Sequence, residues 1–331
     1  MRDVAARAGV SAQTVSNVIN NRVELMGGET RLRVERAMTD LGYHPNLAAR
    51  TLRSSRTETL AFLQLDESKR FLADPMTDLI IAGIADVARD RGYELLLRAT
   101  QPHEPDPSLI KPLLEKRADG AFLFMSGEPG LRDWYVHELR DRGFAFVLLE
   151  PSADPRIFTV VADDREGARR LTEHLISRGH RRIAFMSTIV PWPMLEQRLL
   201  GYRDALKAAG LKPIVLAGGT WTPSSGAEQA ERALTRKAPP SALMCGNDLL
   251  ALGAIRAARR RGLSVPDDVA VTGFDDFDFA QFADPALTTV HIPGYEIGRK
   301  AGEILISVLE GHAPDERHIV FPVALRLRES A

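Results

Sequence analysis

Asp3-Val-Ala-Ala-Arg-Ala-Gly-Val-Ser11, continuing into Ala12-Gln-Thr-Val-Ser-Asn-Val-Ile-Asn20, is the stretch on which the architecture turns. Val4, Ala5 and Ala8 share one helical face, Gly9-Val10-Ser11 interrupts the pattern, and Val15, Val18 and Ile19 resume it. The spacing predicts two short helices around a tight turn. Ser11 is placed to cap the second, its hydroxyl accepting from a first-turn amide. With Val15, Val18 and Ile19 turned inward, Gln13, Thr14, Ser16, Asn17 and Asn20 are predicted to form an uncharged outer face. A third helix is predicted over 29–41, with Val34, Ala37, Met38 and Leu41 at i, i+3, i+4 and i+7 and Gly42 ending it. Amide side chains suit adenine edges in a major groove, and flanking Arg suits phosphates. Periodicity alone fits equally a small helical bundle with a polar face.

Charge favours the first reading. Residues 1–58 hold nine Arg, no Lys and six acids, whereas the rest holds 34 basic and 38 acidic residues, so only this segment suits a polyanion. A chain of 331 residues exceeds one typical domain of ~150, and 44% hydrophobic with 26% charged residues is ordinary globular usage. The single Cys245 excludes an intramolecular disulfide and any multi-cysteine metal site, and it fits a reducing cytosol. Met1-Arg-Asp-Val lacks the apolar core of a secretory signal, and the best apolar run stops at Asp86, far short of a membrane span. The expectation is a cytoplasmic protein without a membrane partner.

Beyond residue 58 short apolar runs alternate with helical patterns. Leu60-Ala-Phe-Leu63, Glu94-Leu-Leu-Leu97 and Ala121-Phe-Leu-Phe124 flank helices near 77–91 and 108–117. The alternation recurs through Thr159-Val-Val161, Arg182-Ile-Ala-Phe-Met186, Ile214-Val-Leu216 and Ala242-Leu-Met-Cys245. Such alternation predicts βαβ units on parallel sheets, hence an α/β body of two lobes with a ligand cleft between them. The expected divisions are a head of two helices around a tight turn and a third helix at 1–45, a linker with a short helix at 46–58, which the family resemblance given below makes a hinge, and a body at 59–331. Within the body, 59–158 and 290–331 form the first lobe and 159–289 the second. Asn46 can cap Leu47-Ala-Ala-Arg-Thr-Leu-Arg53, a helix too short to be stable without a partner.

Several motifs together resemble the lactose-repressor/galactose-repressor (LacI/GalR) family. In the head these are residues 3–11, Thr14-Val-Ser-Asn-Val-Ile-Asn20, Glu29-Thr-Arg31 and Leu41-Gly-Tyr-His-Pro-Asn46. In the body they are His174-Leu-Ile-Ser-Arg-Gly-His180, Arg198-Leu-Leu-Gly-Tyr202, Gly246-Asn-Asp248, Val265-Pro266, Gly273-Phe-Asp-Asp276 and Pro285-Ala-Leu-Thr-Thr289. The resemblance implies a DNA-binding head and a body like periplasmic sugar-binding proteins. It places Ala12, Gln13 and Asn17 against bases. Family members commonly carry Arg at the position of Asn17, so a bidentate guanine contact is lost and a different target sequence is implied. It also implies that the hinge helix enters a minor groove with Leu52 as wedge and Arg53 beside it.

In the cleft, the resemblance implies that Arg198, Asn247 and Asp275 hold effector hydroxyls and that Trp221 stacks on the ligand. Ser126 and Glu150, at strand ends, and Trp192, in the loop Pro191-Trp-Pro193, are further candidates for the cleft wall. The pairs Asp163-Asp164 and Asp275-Asp276 read as caps or turn braces, not as an acid–base pair, and no metal, phosphate or hydrolase motif is present. The expectation is therefore no enzyme, no cofactor and no metal. The implied function is a homodimeric, ligand-responsive transcriptional regulator, a repressor of carbohydrate-utilisation genes released from operator DNA by a small sugar-like effector. The alternatives are a corepressor-dependent regulator of purine type and a sugar-binding protein without a DNA role. The absence of a heptad tail after Ala324-Leu-Arg-Leu327 gives the expectation of a dimer and not a tetramer.

Overall fold

A computed structural model describes residues 1–19, 27–43, 56–66, 71–101 and 104–331, and the chain divides into two compact units, Met1–Thr57 and Glu58–Ala331. The first unit holds α1 (Arg2–Ala8), α2 (Ala12–Ile19) and α3 (Gly28–Asp40). Gly9 takes φ 65°, the left-handed turn that ends α1, and the Ser11 hydroxyl accepts from the Thr14 amide at 3.1 Å to start α2. Val4, Ala5, Ala8, Val15, Val34 and Ala37 form the core, with Val18, Ile19 and Met38 packed partly against it. Two expectations change. Ser16 is only 4% exposed, because the buried stripe of α2 runs between Val15 and Ser16, so Ser16 leaves the outer face. Leu41 is 46% exposed, since α3 stops at Asp40 and Leu41 leaves helical geometry before it can rejoin the apolar stripe. The expected hinge segment with Leu52 and Arg53, and Asn20, lie outside the described residues.

In the second unit β1 (Thr59–Leu65), β2 (Glu94–Thr100), β3 (Gly120–Met125), β4 (Ala145–Leu148), β5 (Phe158–Ala162) and β11 (His318–Phe321) form one parallel sheet in the order β11-β5-β4-β3-β1-β2. All six residues of β3 are buried, as expected of a central parallel strand covered on both faces, while edge strand β2 is only half covered. A second parallel sheet runs β7-β6-β8-β9, from β6 (Ile183–Ser187), β7 (Ile214–Ala217), β8 (Ala242–Cys245) and β9 (Ala270–Thr272). A short antiparallel ribbon pairs β10 (Thr289–His291) with β12 (Ala324–Arg326).

The chain therefore passes between the lobes three times: after β5, after β10 and after β11. Two lobe boundaries are corrected. Thr159-Val-Val161 belongs to the first sheet, where β5 is hydrogen-bonded between β4 and β11, and does not open the second lobe. The last segment completes the first lobe only through β11 and its preceding helix. Its end returns to the second lobe, where Val271 and Ser330 exchange two hydrogen bonds. Alternation of strand and helix patterns points to where most strands lie but not to which sheet each one joins.

Helices α4 (Pro75–Asp90) and α5 (Pro129–Asp141) lie in the first lobe, with α6 (Asp164–Ser177), α7 (Pro193–Ala208), α8 (Pro223–Leu234) and α9 (Asp248–Arg260) in the second; α10 (Gly294–Leu309) returns to the first. Glycines let helix pairs approach closely. A Cβ on Gly298 of α10 would stand 2.1 Å from the Ile80 carbonyl oxygen of α4, and one on Gly83 would stand 2.1 Å from the Tyr295 carbonyl oxygen. Gly298→Ala is therefore expected to force the two helices apart and lower stability by about 1–3 kcal/mol. Chemical denaturation would measure it, and an unchanged midpoint would mean that the helices have slack.

Candidate functional site

On the head, Ala12 and Gln13 are exposed and Thr14 and Asn17 half-exposed. Gln13 Nε2 donates to Asn17 Oδ1 at 3.1 Å, one turn along α2. That bond leaves the Gln13 carbonyl oxygen and the Asn17 amide donors for other partners, an acceptor beside a donor, which is the pattern an adenine edge requires. Arg2, Arg7, Arg31, Arg33 and Arg36 are exposed on α1 and α3, Arg7 pairing with Asp40 and Arg31 with Glu35, so the helices beside the uncharged face of α2 carry cations. The electrostatics suit phosphates at the rim and bases at the centre.

Arg198 organises the cleft of the second unit. It is buried on α7, where Nε donates to Asp164 Oδ1 at 2.7 Å, Nη1 donates to the Gly246 carbonyl at 2.7 Å, and Nη2 lies 2.8 Å from Asp275 Oδ1. Its guanidinium also stacks on the Phe274 ring, 3.9 Å from the centroid. Burial works against the Arg198 charge, yet Asp275 and Asp164 outweigh it and hold its pKa above the ordinary value. Burial pushes Asp275 well above the usual carboxylate range, against Arg198, and the like charges of Asp248, Asp74 and Asp164 push the same way.

Asp275 and Asp276 both hold left-handed backbone, φ 106° and 59°, at a sharp turn after β9. The interlobe ribbon holds that turn. The Asp275 amide donates to the Val290 carbonyl at 2.8 Å, and Asp276 pairs with Arg328 at 2.7 Å. Beneath the turn, Asp248 accepts from the Phe277 amide at 2.8 Å and from the Thr289 hydroxyl at 2.6 Å. Asn247 caps α9 by accepting from the Leu250 amide at 2.9 Å. Asp163 and Asp164 divide their work: Asp163 caps α6 through the Glu166 amide, and Asp164 turns to Arg198.

A narrow cavity between the lobes brings together Arg198, Asn247, Asp275, Trp192 and Trp221 from the second lobe with Asp74, Met76 and Phe124 from the first. A larger adjoining space shares Asp74 and both tryptophans and adds Asp66, Thr188, Thr220 and Thr222. Five of the seven residues expected at the cleft thus line one cavity. Ser126 and Glu150 do not. The Ser126 hydroxyl is fully buried and donates to the Leu65 carbonyl at 2.9 Å, because it is used to tie β3 to β1. Glu150 is buried beside Arg132, 3.8 Å away, behind the cavity wall. Sequence reading missed Asp164 as the partner of Arg198; its place beside the cap Asp163 was the available signal. It also missed Asp74, Met76 and Phe124, which lie more than 70 residues from Arg198 with no spacing to connect them.

Burial pushes the Glu150 carboxyl up to about 8, against the pull of Arg132 and with Glu196 and Asp133 pushing the same way. A folded pKa above the unfolded one means that the folded chain keeps a proton the unfolded chain has released. The stability this group contributes is full at acid pH and is lost as pH rises to about 8. Glu150→Gln should remove that loss, flattening stability against pH by up to about 1.4 kcal/mol per unit between pH 5 and 8. Denaturation at several pH values reads this out, and identical slopes for both proteins would contradict the burial of an ionisable Glu150.

A helix-turn-helix head on a two-lobed body with a polar cavity between the lobes defines a DNA-binding transcriptional regulator with a small-molecule cleft. Comparison with known proteins agrees. Residues 1–46 match the family described as bacterial regulatory proteins, lacI family, and residues 172–331 match the periplasmic binding protein-like domain. The HTH-type transcriptional repressor CytR of Escherichia coli (strain K12) is 33% identical over 94% of this chain and 90% of its own length. Among solved structures, a lac repressor dimer bound to operator and the anti-inducer ONPF superposes with TM-score 0.87 at 28% identity, covering 99% of this chain and 97% of that one. A complex of the transcriptional regulator CelR with cellobiose gives TM-score 0.75 at 30% identity, covering 99% and 98%. The chain belongs to the LacI family of bacterial transcriptional regulators. No helix among the described residues is long and apolar enough to cross a membrane.

Proposed function

We propose that the chain is a homodimeric, cytoplasmic repressor of carbohydrate-utilisation genes, released from its operator by a small neutral sugar bound between the lobes. The observation that carries this reading is the lining of the interlobe cavity, in which acidic side chains outnumber cations. Among its described lining residues Arg198 is the one cation, and its nitrogens already face Asp164, Gly246 and Asp275. Asp74 and Asp275 then supply acceptors for sugar hydroxyls, the Asn247 amide nitrogen supplies a donor because its oxygen caps α9, and Trp192 and Trp221 supply flat apolar surfaces for the C–H face. The CelR–cellobiose complex, a neighbour in structure, supports a sugar over a purine. Ala12, Gln13, Thr14 and Asn17 read bases, and Leu52 with Arg53 act in the minor groove. The chain performs no turnover, and two copies present two heads to a near-palindromic site, as twofold symmetry requires.

A mobility-shift experiment on genomic fragments, repeated from low to moderate salt, tests the DNA half. Affinity should fall steeply with salt as phosphate counterions return, and a flat response would refute direct phosphate binding. Thermal-shift screening of neutral sugars and purines tests the other half, because a ligand specific to the folded state raises the melting temperature. A sugar recovered chemically unchanged after long incubation supports the absence of catalysis, and one recovered as a product refutes it.

A further inference from the structure

The two lobes of the body touch at one corner of the cleft, beside the cavity. There the Gly127 amide of the first lobe donates to the Pro191 carbonyl of the second at 2.8 Å, and the rings of Phe124 and Trp192 meet with centroids 5.1 Å apart. Next to these contacts, Arg132 of α5 lies between two acids on opposite sides of the cleft. Its Nη2 donates to Glu196 Oε1 in the first turn of α7 at 3.2 Å, and its Nη1 stands 3.8 Å from Glu150 Oε2, just beyond β4 in its own lobe. Arg132 is 8% exposed and Glu150 is buried, whereas the Glu196 side chain is 43% exposed. Among the described residues, Arg132 Nη1 and Glu150 Oε1 are buried without a hydrogen-bond partner. One guanidinium thus serves two carboxylates and satisfies one of them.

We propose that Arg132 is a positioning residue for lobe closure, exchanging between Glu196 across the cleft in the closed state and Glu150 on its own lobe in the open state. The physical need is plain. A guanidinium that lost Glu196 on opening with no second acceptor would lose its charge partner, a cost that would bias the lobes toward closure. Glu150 removes that penalty by offering a second partner that moves with Arg132. Closure then becomes an exchange of Arg132 between two carboxyl partners, Glu150 accepting a hydrogen bond while it keeps its proton and forming an ion pair above about pH 8. A ligand in the adjoining cavity can tip that exchange through its own differential contacts. Arg132 is not among the described residues that line the cavity, so it acts on ligand affinity through the lobe equilibrium. The inference rests on the reading that ligand binding closes these lobes.

The two acids make opposite predictions, which a merely structural role would not. The test is the distance between spin labels at His137→Cys on α5 and Leu200→Cys on α7, both exposed positions, with Cys245 buried and unreactive. Full-length labelled chains diluted into unlabelled protein are measured without sugar or DNA, at pH 9, where Glu150 is ionised. The charged groups facing Glu150 are Arg132 and Asp133 from α5 and Glu196 from α7. Glu196→Gln should reduce the closed population about two- to fivefold, the range of a partly exposed ion pair. Glu150→Gln should raise it by a similar factor. Shifts of both variants in the same direction, or no shift in either, would overturn the exchange. Because neither sugar nor operator is present, that failure is distinct from a failure of the regulator reading, which the mobility-shift and thermal-shift experiments decide.

Discussion

Arg198→Ala is expected to abolish the sugar response and to lower the stability of the body by about 3–5 kcal/mol, the loss seen when one member of a buried ion pair is removed. The magnitude follows from what the side chain leaves behind. Asp164 and Asp275 are both buried, and Arg198 is the cation that faces each of them at 2.7 and 2.8 Å. Without it, two carboxylates already pushed up by burial must take up protons or draw in water. The Gly246 carbonyl also loses its donor, which loosens the junction from which Asn247 caps α9. The head is a separate compact unit with its own core, so nonspecific DNA binding should survive. Calorimetric unfolding together with a sugar titration checks both parts. A variant of undiminished stability that still binds sugar would remove Arg198 from the centre of the site.

Gln13→Ala and Asn17→Ala should each weaken operator binding by about 1–3 kcal/mol, roughly fivefold to more than a hundredfold, and leave nonspecific binding and its salt dependence unchanged. Their mutual hydrogen bond makes them one reading unit, so the double variant should lose less than the sum of the singles. Ser16→Ala supplies the contrast. Sequence pattern alone put Ser16 on the outer face, but the helix buries it, and its replacement should leave base preference intact. Equal losses on specific and random DNA for Gln13→Ala would reassign that residue to the phosphate backbone.

These two cases also show how far the amino-acid sequence is legible. Periodicity located α1, α2 and α3 and the Ser11 cap because each depends on neighbours within one or two turns. It misplaced Ser16 and Leu41 because the edge of a buried stripe is set by how flanking helices pack, which a single helical wheel does not contain. In the body, apolar runs located most strands but not the three-residue β9, and β5 went to the wrong lobe because sheet membership is a long-range property. The family motifs brought Arg198, Asn247, Asp275 and Trp221 to one cavity with Trp192. They said nothing of the ion-pair chemistry behind it. Ser126 and Glu150 were placed by their positions at strand ends, and the structure uses one to join strands and the other to face Arg132. Strand-end position puts a residue near a cleft, while hydrogen bonding decides whether it faces in.

The central claim is that the cavity and the head are linked through one equilibrium. Linkage is reciprocal: a sugar that weakens operator binding by some factor must be weakened by operator to the same degree. The direct measurement is a pair of titrations with the sugar that gives the largest thermal shift. Operator affinity is determined with and without saturating sugar, and sugar affinity with and without saturating operator. The account predicts equal losses in both, within about 5- to 150-fold. Sugar binding that leaves operator affinity untouched would contradict it.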